Sequence, residues 1–115
     1  PLPSGVLMRP ASFTPYKGIY SGQKCYGYQI ILEPGAEYHS FLHTLHLMRY
    51  FKERYDCFCF SDGFARRLAD PVIMDYLEGK VESGVLRDHV KVEEQKWIRK
   101  AKKYLLYEDQ VYRVK

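Results

Sequence analysis

Residues 9–32 decide how the chain folds, and they read RPASFTPYKGIYSGQKCYGYQIIL. A continuous helix is excluded because two prolines break it and three glycines weaken it. The stretch instead predicts an extended segment ending at Pro10, a loop over Phe13–Gln23, and a strand of β-branched and aromatic residues over Tyr26–Leu32. Loops held by rigid elements often carry binding groups. The alternative is a long hairpin connection with aromatic filler.

The composition fits one small folded domain. The chain has 115 residues, of which 46% are hydrophobic and 28% charged, and these are ordinary values for such a domain. Its 11 tyrosines are unusual and favour interfaces and polar clefts. The net charge of +4 suits an anionic partner without indicating nucleic acid by itself. No apolar run reaches the roughly 18 residues of a membrane span. The start resembles no signal peptide and lacks Met, so we expect a piece of a longer protein.

The remaining elements follow from apolar spacing and from helix caps. Apolar residues at steps of three and four predict helices, and Asp70 followed by Pro71 predicts a helix start. The predicted elements are strands at Gly5–Met8 and Tyr26–Leu32, helices at His39–Tyr55, 71–79 and Val90–Leu105, a short turn of helix at Glu82–Leu86, and terminal extended segments at Leu105–Tyr107 and Val111–Val114. Residues 57–60 form either a buried strand or a loop packed on the core.

These elements predict an α+β fold, with a small mixed or antiparallel sheet packed against two long helices and one short helix. We expect residues 1–115 to form a single domain. The last helix has an apolar stripe that includes Val90 and Trp97. Its basic face, Arg99 to Lys103, suggests nucleic acid, but a solvated face that complements the helix dipole is the better interpretation. We therefore predict no nucleic-acid partner.

The metal-ligating residue types do not form a recognisable metal motif. The cysteines are Cys25, Cys57 and Cys59. An odd number argues against a disulfide framework, and the one-residue gap between the last two does not suit zinc. Buried free thiols fit best, while a bridge from Cys25 to either of the others stays open. The first long helix carries His39, His43 and His46 without the Glu of a metalloprotease pattern, so we expect solvent-facing or interface histidines. We predict no metal and no cofactor.

The sequence shows no complete active site. It contains no Gly-x-Ser-x-Gly elbow, no phosphate-binding loop and no dinucleotide fingerprint. Glu33 at a strand end and Asp62 in a turn are the only carboxylates that we can place in a cleft. Neither has an obvious partner for acid–base chemistry.

Two consecutive motifs carry a family resemblance. They read Arg9-Pro10-x-x-Phe13-x-Pro15 and Tyr20-Ser21-Gly22-Gln23-x-Cys25-x-Gly27-x-Gln29-Ile30. Together they resemble the signature that opens the C-terminal domain of the exo-β-N-acetylmuramidases, which are bacterial peptidoglycan glycoside hydrolases. The resemblance continues through a Leu-rich helix ending in Tyr55 to a last helix closing on Tyr104-Leu105-Leu106-Tyr107. The sequence departs at Tyr28, where the family has a small apolar residue, and in the tail after Tyr107.

The resemblance implies a two-domain parent protein. An N-terminal Rossmann-like domain would carry the catalytic carboxylate, and a smaller domain like this one would pack on it. The cleft between them would take the terminal N-acetylmuramic acid of a peptidoglycan fragment. The catalytic residues then lie upstream of Pro1 and are unknown. The full-length parent would be a glycoside hydrolase in the periplasm or outside the cell, and the 115-residue chain alone would be inactive.

The resemblance also assigns substrate binding to four residues, Arg9, Tyr20, Ser21 and Gln23. The planar fork of Arg9 suits the lactyl carboxylate of N-acetylmuramic acid; its alternative role is an ion pair with an acidic residue of the other domain. The other three can hydrogen-bond sugar hydroxyls or the acetamido group, or only fix the loop. Two alternatives remain for the whole chain: a non-catalytic binding module for an anionic glycan or nucleic acid, and a purely structural domain.

Overall fold

The computed structural model describes residues 3–106, and within that range it contains a two-stranded antiparallel sheet followed by four helices. The elements are β1 (Val6–Phe13), β2 (Cys25–Leu32), α1 (Ser40–Arg54), α2 (Phe64–Leu68), α3 (Pro71–Leu77) and α4 (Ser83–Lys102). The predicted α+β class is confirmed. The chain divides into two compact units between Ser40 and Phe41, here called the hairpin unit and the helical unit. Among residues 3–106, none of the helices combines the length and the hydrophobicity of a membrane span.

β1 is longer than predicted because Pro10 does not end it. The strand continues through Pro10 to Phe13 and pairs with β2 along its whole length. Val6 donates its N–H to the carbonyl of Pro3 at 3.2 Å, outside the sheet. Pro10 lies four residues further along and faces the same way, because inward and outward N–H groups alternate along a strand. Its missing N–H therefore removes no bond to β2.

Tyr28, the position at which the sequence departs from the signature, lies opposite Pro10 on β2. Its side chain is 61% exposed. The larger residue therefore needs no space inside the hairpin unit, and the strand pairing is kept.

The helical unit has one cluster of buried side chains, drawn from α1, α3 and α4. α1 begins and ends within one residue of the predicted helix, and its Leu45 is buried as the apolar spacing requires. Leu77 of α3 and Leu86 of α4 are enclosed almost completely. The buried members of the cluster are Leu45, Ile73, Tyr76, Leu77, Leu86 and Val90.

An aromatic loop connects α1 to α2. The rings of Phe58 and Phe60 lie 5.6 Å apart between centroids, and Phe60 stacks on Phe64 at 4.8 Å. Both Phe60 and Phe64 pack against the buried cluster. Of the two alternatives for residues 57–60, the loop packed on the core is therefore the one observed. α2 was not predicted, because five residues are too few to show helical spacing.

The cysteines are free thiols, as predicted, but none of them is buried. Cys25 is half-buried, whereas Cys57 and Cys59 are exposed. The predicted burial is therefore wrong, most clearly for the exposed pair. The neighbouring Phe58 and Phe60 turn their rings toward the other aromatic side chains, which leaves the thiols toward solvent.

α4 is one continuous helix, so the prediction of a separate turn followed by a helix from Val90 to Leu105 is wrong. Residues 83–86 form its first turn, and it ends at Lys102. Gly84 obscured the pattern, since glycine lowers helix stability by about 1 kcal/mol relative to alanine. Leu86 and Val90 nevertheless continue one buried face.

The part of the predicted terminal extended segments that the structure describes is not a strand. Leu105 and Leu106 follow a turn after α4 and belong to no strand. Tyr107 and residues 111–114 lie outside the described residues.

Asp70 caps α3 as predicted and also joins it to α4. Its Oδ1 accepts hydrogen bonds from the backbone N–H groups of Val72 and Ile73 at 3.1 and 3.2 Å, while Oδ2 accepts one from Nε2 of His89 at 2.7 Å. Burial acts to raise the pKa of Asp70, but the hydrogen bonds from His89 and from the two N–H groups outweigh it. The pKa therefore lies below the ordinary value.

We expect Asp70→Ala to lower the free energy of unfolding by about 1–2 kcal/mol, because it removes the helix cap together with the bond to His89. Asp70→Asn should lower the free energy of unfolding much less at neutral pH, since asparagine is an equally good helix cap. The ionised carboxylate stabilises the fold fully at neutral pH and loses that effect as the pH falls through its lowered pKa. Urea unfolding at several pH values should therefore show the difference between wild type and Asp70→Asn shrinking in acid. A constant difference would contradict this interpretation.

Candidate functional site

One face of the hairpin combines a cation with an open floor. Opposite residues of an antiparallel pair share a face. In order along this face, the cross-strand pairs are Arg9–Gln29, Ala11–Gly27 and Phe13–Cys25. Arg9 and Phe13 are about 13 Å apart along the strand, and the smallest pair lies between them. A Cβ atom built on Gly27 would meet nothing within 4 Å, so the middle of this face is open. We call the three pairs the Arg9 face.

Arg9 is held by its cross-strand neighbour. Its Nη2 donates a hydrogen bond to Oε1 of Gln29, and the side chain is exposed. A guanidinium has several further N–H donors in a planar fork. No carboxylate of the described residues forms an ion pair with it. Sequence reasoning missed the role of Gln29, although this residue belongs to the signature, because only the register places it opposite Arg9.

The three predicted loop residues, Tyr20, Ser21 and Gln23, lie together in the connection of residues 14–24. The Ser21 hydroxyl donates to the carbonyl of Tyr16 at 2.9 Å, and the N–H of Gly22 donates to the carbonyl of Pro15 at 2.8 Å. Ser21 thus fixes the loop, which is one of the two roles predicted for it. Tyr20 stays 58% exposed and is accessible to a ligand.

The structure separates Arg9 from these loop residues. The loop joins the strands at the Phe13–Cys25 end, about 13 Å along β1 from Arg9. The four predicted residues therefore lie on one hairpin, but they are too far apart to contact the same group of a ligand. A ligand that contacts both Arg9 and the loop must extend along the hairpin over this distance.

All charged side chains of the hairpin are cations. Residues 6–32 contain Arg9, Lys17 and Lys24 and no Asp or Glu. The ammonium groups of the two lysines lie 5.5 and 5.6 Å from the ring centres of Tyr16 and Tyr26, which orients them by cation–π attraction. Such a surface attracts an anionic ligand.

The same segment lacks the groups for glycoside hydrolysis. That reaction generally uses two carboxyl groups roughly 5–10 Å apart. Within residues 3–40 the carboxylates are Glu33 and Glu37, and both follow the end of β2 that is remote from the loop. The Arg9 face can therefore bind an anion, but it has no acid–base pair of its own.

The helical unit contains a polar cluster that sequence reasoning missed. Nδ1 of His46 lies 2.5 Å from the hydroxyl of Tyr76, and the Arg49 guanidinium lies 4.6 Å from the centre of the same ring. Arg49 also donates to the carbonyl of Val81 at 2.8 Å. Burial is the main cause that lowers the pKa of His46, with the positive charge of Arg87 next. The cluster ties α1 to α3 and disfavours a charged imidazole.

His46 is thus half-buried against α3, whereas the prediction for the three histidines was a solvent-facing or interface position. The partner of His46, Tyr76 of α3, lies 30 residues away in sequence, so the spacing of the histidines alone could not indicate this contact. Among the described residues, no group of three or more His, Cys, Asp or Glu side chains could hold a metal ion.

Comparison with known proteins identifies the family. Residues 2–107 match the family described as exo-beta-N-acetylmuramidase NamZ, C-terminal, and the chain belongs to this family. The match includes the two motifs that carry the resemblance and both strands of the Arg9 face. No curated protein and no solved structure shows significant similarity to the chain. A C-terminal domain implies a further domain in the same protein.

We expect Gly22→Ala to loosen the loop that holds Tyr20, Ser21 and Gln23. Gly22 has a φ of 76°, a conformation that costs a residue with a side chain about 1–2 kcal/mol. Hydrogen exchange of the Gly22 amide, which bonds Pro15, should speed up by at least about fivefold. The matched control is Gly84→Ala in α4, where no positive φ is required, and it should leave exchange in the loop unchanged. Equal protection in wild type and Gly22→Ala would show that the loop is not held in this way.

Proposed function

We propose that the chain is the auxiliary, cleft-forming domain of a peptidoglycan-processing exo-β-N-acetylmuramidase. Its Arg9 face binds the terminal N-acetylmuramic acid, while another domain of the same protein supplies the catalytic carboxylate. Membership of the C-terminal family supports the division into domains. The observation that carries the binding role is the charge of residues 6–32, which contain three cations and no carboxylate.

Arg9 is the group that recognises the ligand's charge. N-acetylmuramic acid differs from most neutral sugars by a lactyl carboxylate, and the guanidinium fork can bind a carboxylate through two parallel hydrogen bonds. Gln29 holds the guanidinium from the other strand, so less side-chain freedom is lost on binding. The substrate's charge and the preorganised fork together favour this sugar over uncharged ones.

The rest of the sugar has room beside Arg9. The floor formed by Ala11 and Gly27 is shallow and open, which suits a pyranose ring lying along the face. At the far end, the exposed hydroxyl of Tyr20 and the amide of Gln23 are of the type that binds sugar hydroxyls or an acetamido group. Ser21 supports the loop through Tyr16.

The chemistry belongs to the other domain in this proposal. The Arg9 face has no carboxyl pair, whereas hydrolysis of a glycosidic bond generally needs one. The resemblance described above implies that a Rossmann-like N-terminal domain supplies it. Because the substrate is cell-wall material, we place the whole protein in the periplasm or outside the cell.

In the full-length parent, we expect Arg9→Ala to lower kcat/KM for release of N-acetylmuramic acid by about 10- to 100-fold, since a hydrogen bond to a charged group contributes about 1.5–3 kcal/mol. Arg9→Lys should retain part of the activity, because it keeps the charge but loses the fork. The control is Arg99→Ala on the exposed side of α4, which should turn over normally.

Unchanged kinetics in Arg9→Ala would remove Arg9 from the substrate site. Hydrolysis by the 115-residue chain alone would contradict the assignment of catalysis to another domain. Binding of muramic acid glycosides by a parent that cannot hydrolyse them would instead support the alternative of a non-catalytic glycan-binding module.

We expect Gly27→Leu to block the site without unfolding the chain. The added side chain meets no atom near its Cβ, yet it covers the floor between Arg9 and Phe13. In the parent protein, KM for the muramic acid glycoside should rise by at least about tenfold, the equivalent of about 1.4 kcal/mol of lost binding. Ser12→Leu, an exposed position on the opposite face of β1, is the matched control and should keep the wild-type KM. Equal effects of the two variants in a kinetic assay would show that the Arg9 face does not hold the sugar.

A further inference from the structure

The helical unit contains a pocket of about 430 Å³ between α3 and α4. Its floor is formed by Ile73 of α3 and Val90 of α4, both of which are buried. The exposed rings of Phe41 and Trp97 form part of its wall. A polar pair, Asp70 and His89, lies at its edge. Pockets that combine apolar and aromatic walls with a few polar groups are the usual form of small-molecule sites.

Trp97 is the unexpected member of this pocket. The sequence placed it on the apolar stripe of the last helix, which predicts a core position, but the side chain is 58% exposed. Tryptophan is highly buried on average, so an exposed one on a pocket wall indicates a surface that a ligand can cover. It is also the only tryptophan of the chain.

The charge of the pocket is opposite to that of the hairpin. Of its lining residues in the described range, Asp70, Glu93 and Glu94 are carboxylates and none is lysine or arginine. Oδ2 of Asp70 accepts from His89 at 2.7 Å, and Oε1 of Glu93 accepts from Lys96 at 2.9 Å. Each carboxylate has about four lone-pair sites, so Glu93 can accept further hydrogen bonds. The lining therefore offers acceptors to hydroxyl donors, whereas none of its residues is a lysine or arginine that could pair with an anion.

We propose that this pocket binds a neutral N-acetylhexosamine, the type of sugar that alternates with N-acetylmuramic acid in peptidoglycan. The proposal rests on the proposed function for the class of polymer, and on the pocket for the choice of sugar. The C–H face of the pyranose covers the ring of Trp97. The acetamido methyl group lies on the floor of Ile73 and Val90, and the ring hydroxyls donate to Glu93.

The charged residues of the lining also determine which sugar the pocket should bind weakly. N-acetylmuramic acid is N-acetylglucosamine with a lactyl carboxylate added, and the lining has three carboxylates but no lysine or arginine to pair with that anion. A carboxylate placed there would lose water without gaining a cationic partner, which disfavours binding. The chain would then hold the two sugars of the polymer at different places, the anionic one on the Arg9 face and the neutral one in this pocket.

Trp97 provides a direct test, because its fluorescence is the only tryptophan emission of the chain. The 115-residue chain is titrated at fixed ionic strength with methyl β-N-acetylglucosaminide and, separately, with methyl β-N-acetylmuramide. We expect a saturable change of emission with the first ligand and at least about tenfold weaker binding of the second, equivalent to 1.4 kcal/mol. Glu93→Gln should reduce the difference between the dissociation constants of the two sugars, because it removes one negative charge and keeps a hydrogen-bond acceptor.

Calorimetry extends the test to variants that lack the fluorophore. Trp97→Ala should lose binding of the neutral sugar, whereas Tyr104→Ala, an exposed aromatic side chain outside the pocket, should bind it normally. The absence of a saturable change in Trp97 emission with the neutral sugar in a folded wild-type chain, or an equal response of that emission to both sugars, would overturn the proposal. Arg9→Ala should leave the titration with the neutral sugar unchanged, so failure at this pocket and failure at the Arg9 face can be told apart.

Discussion

The antiparallel register of β1 and β2 determines what the hairpin can present to a ligand. Because Arg9 is opposite Gln29, a cross-strand hydrogen bond holds the guanidinium. The same register sets Ala11 against Gly27, which leaves a floor next to the charge. A shift of one residue would move Gln29 and Gly27 to the face opposite Arg9. Pairing along both strands therefore fixes the geometry of the Arg9 face before any ligand is present.

The sequence was most informative where a local signal was sufficient. Asp70 and Pro71 predicted the start of α3, and the apolar spacing of residues 39–55 predicted α1 almost to the residue. The sequence predicts β1 too short, because proline usually ends a strand inside a sheet. At residue 10 the backbone N–H position points away from β2, so the strand continues. The site was predictable only in part: Arg9 and the loop residues stood in a motif, whereas the partnership with Gln29 and the pocket around Trp97 depend on contacts between distant segments.

The Arg9 face and the pocket around Trp97 differ in charge although the whole chain is basic. The Arg9 face lies in a segment without carboxylates, and the pocket in the helical unit is lined by three of them. Asp70 has both a structural role and a place in the pocket: it caps α3, bonds His89 of α4 and lines the pocket. In a polymer with alternating anionic and neutral sugars, the anionic sugar suits the cations of the Arg9 face, and the neutral sugar brings no further anion to the carboxylates of the pocket. This correspondence is the physical basis for assigning different sugars to the two surfaces.

Pro10 has a consequence for self-association. A sheet of two strands has two open edges, and each can recruit a strand from another molecule through its outward N–H and C=O groups. Proline at an outward position removes one donor from the β1 edge, in the middle of the strand. Stacking of further strands on that side is therefore disfavoured, which protects a tyrosine-rich hairpin from growing into an aggregate while leaving its ladder with β2 intact.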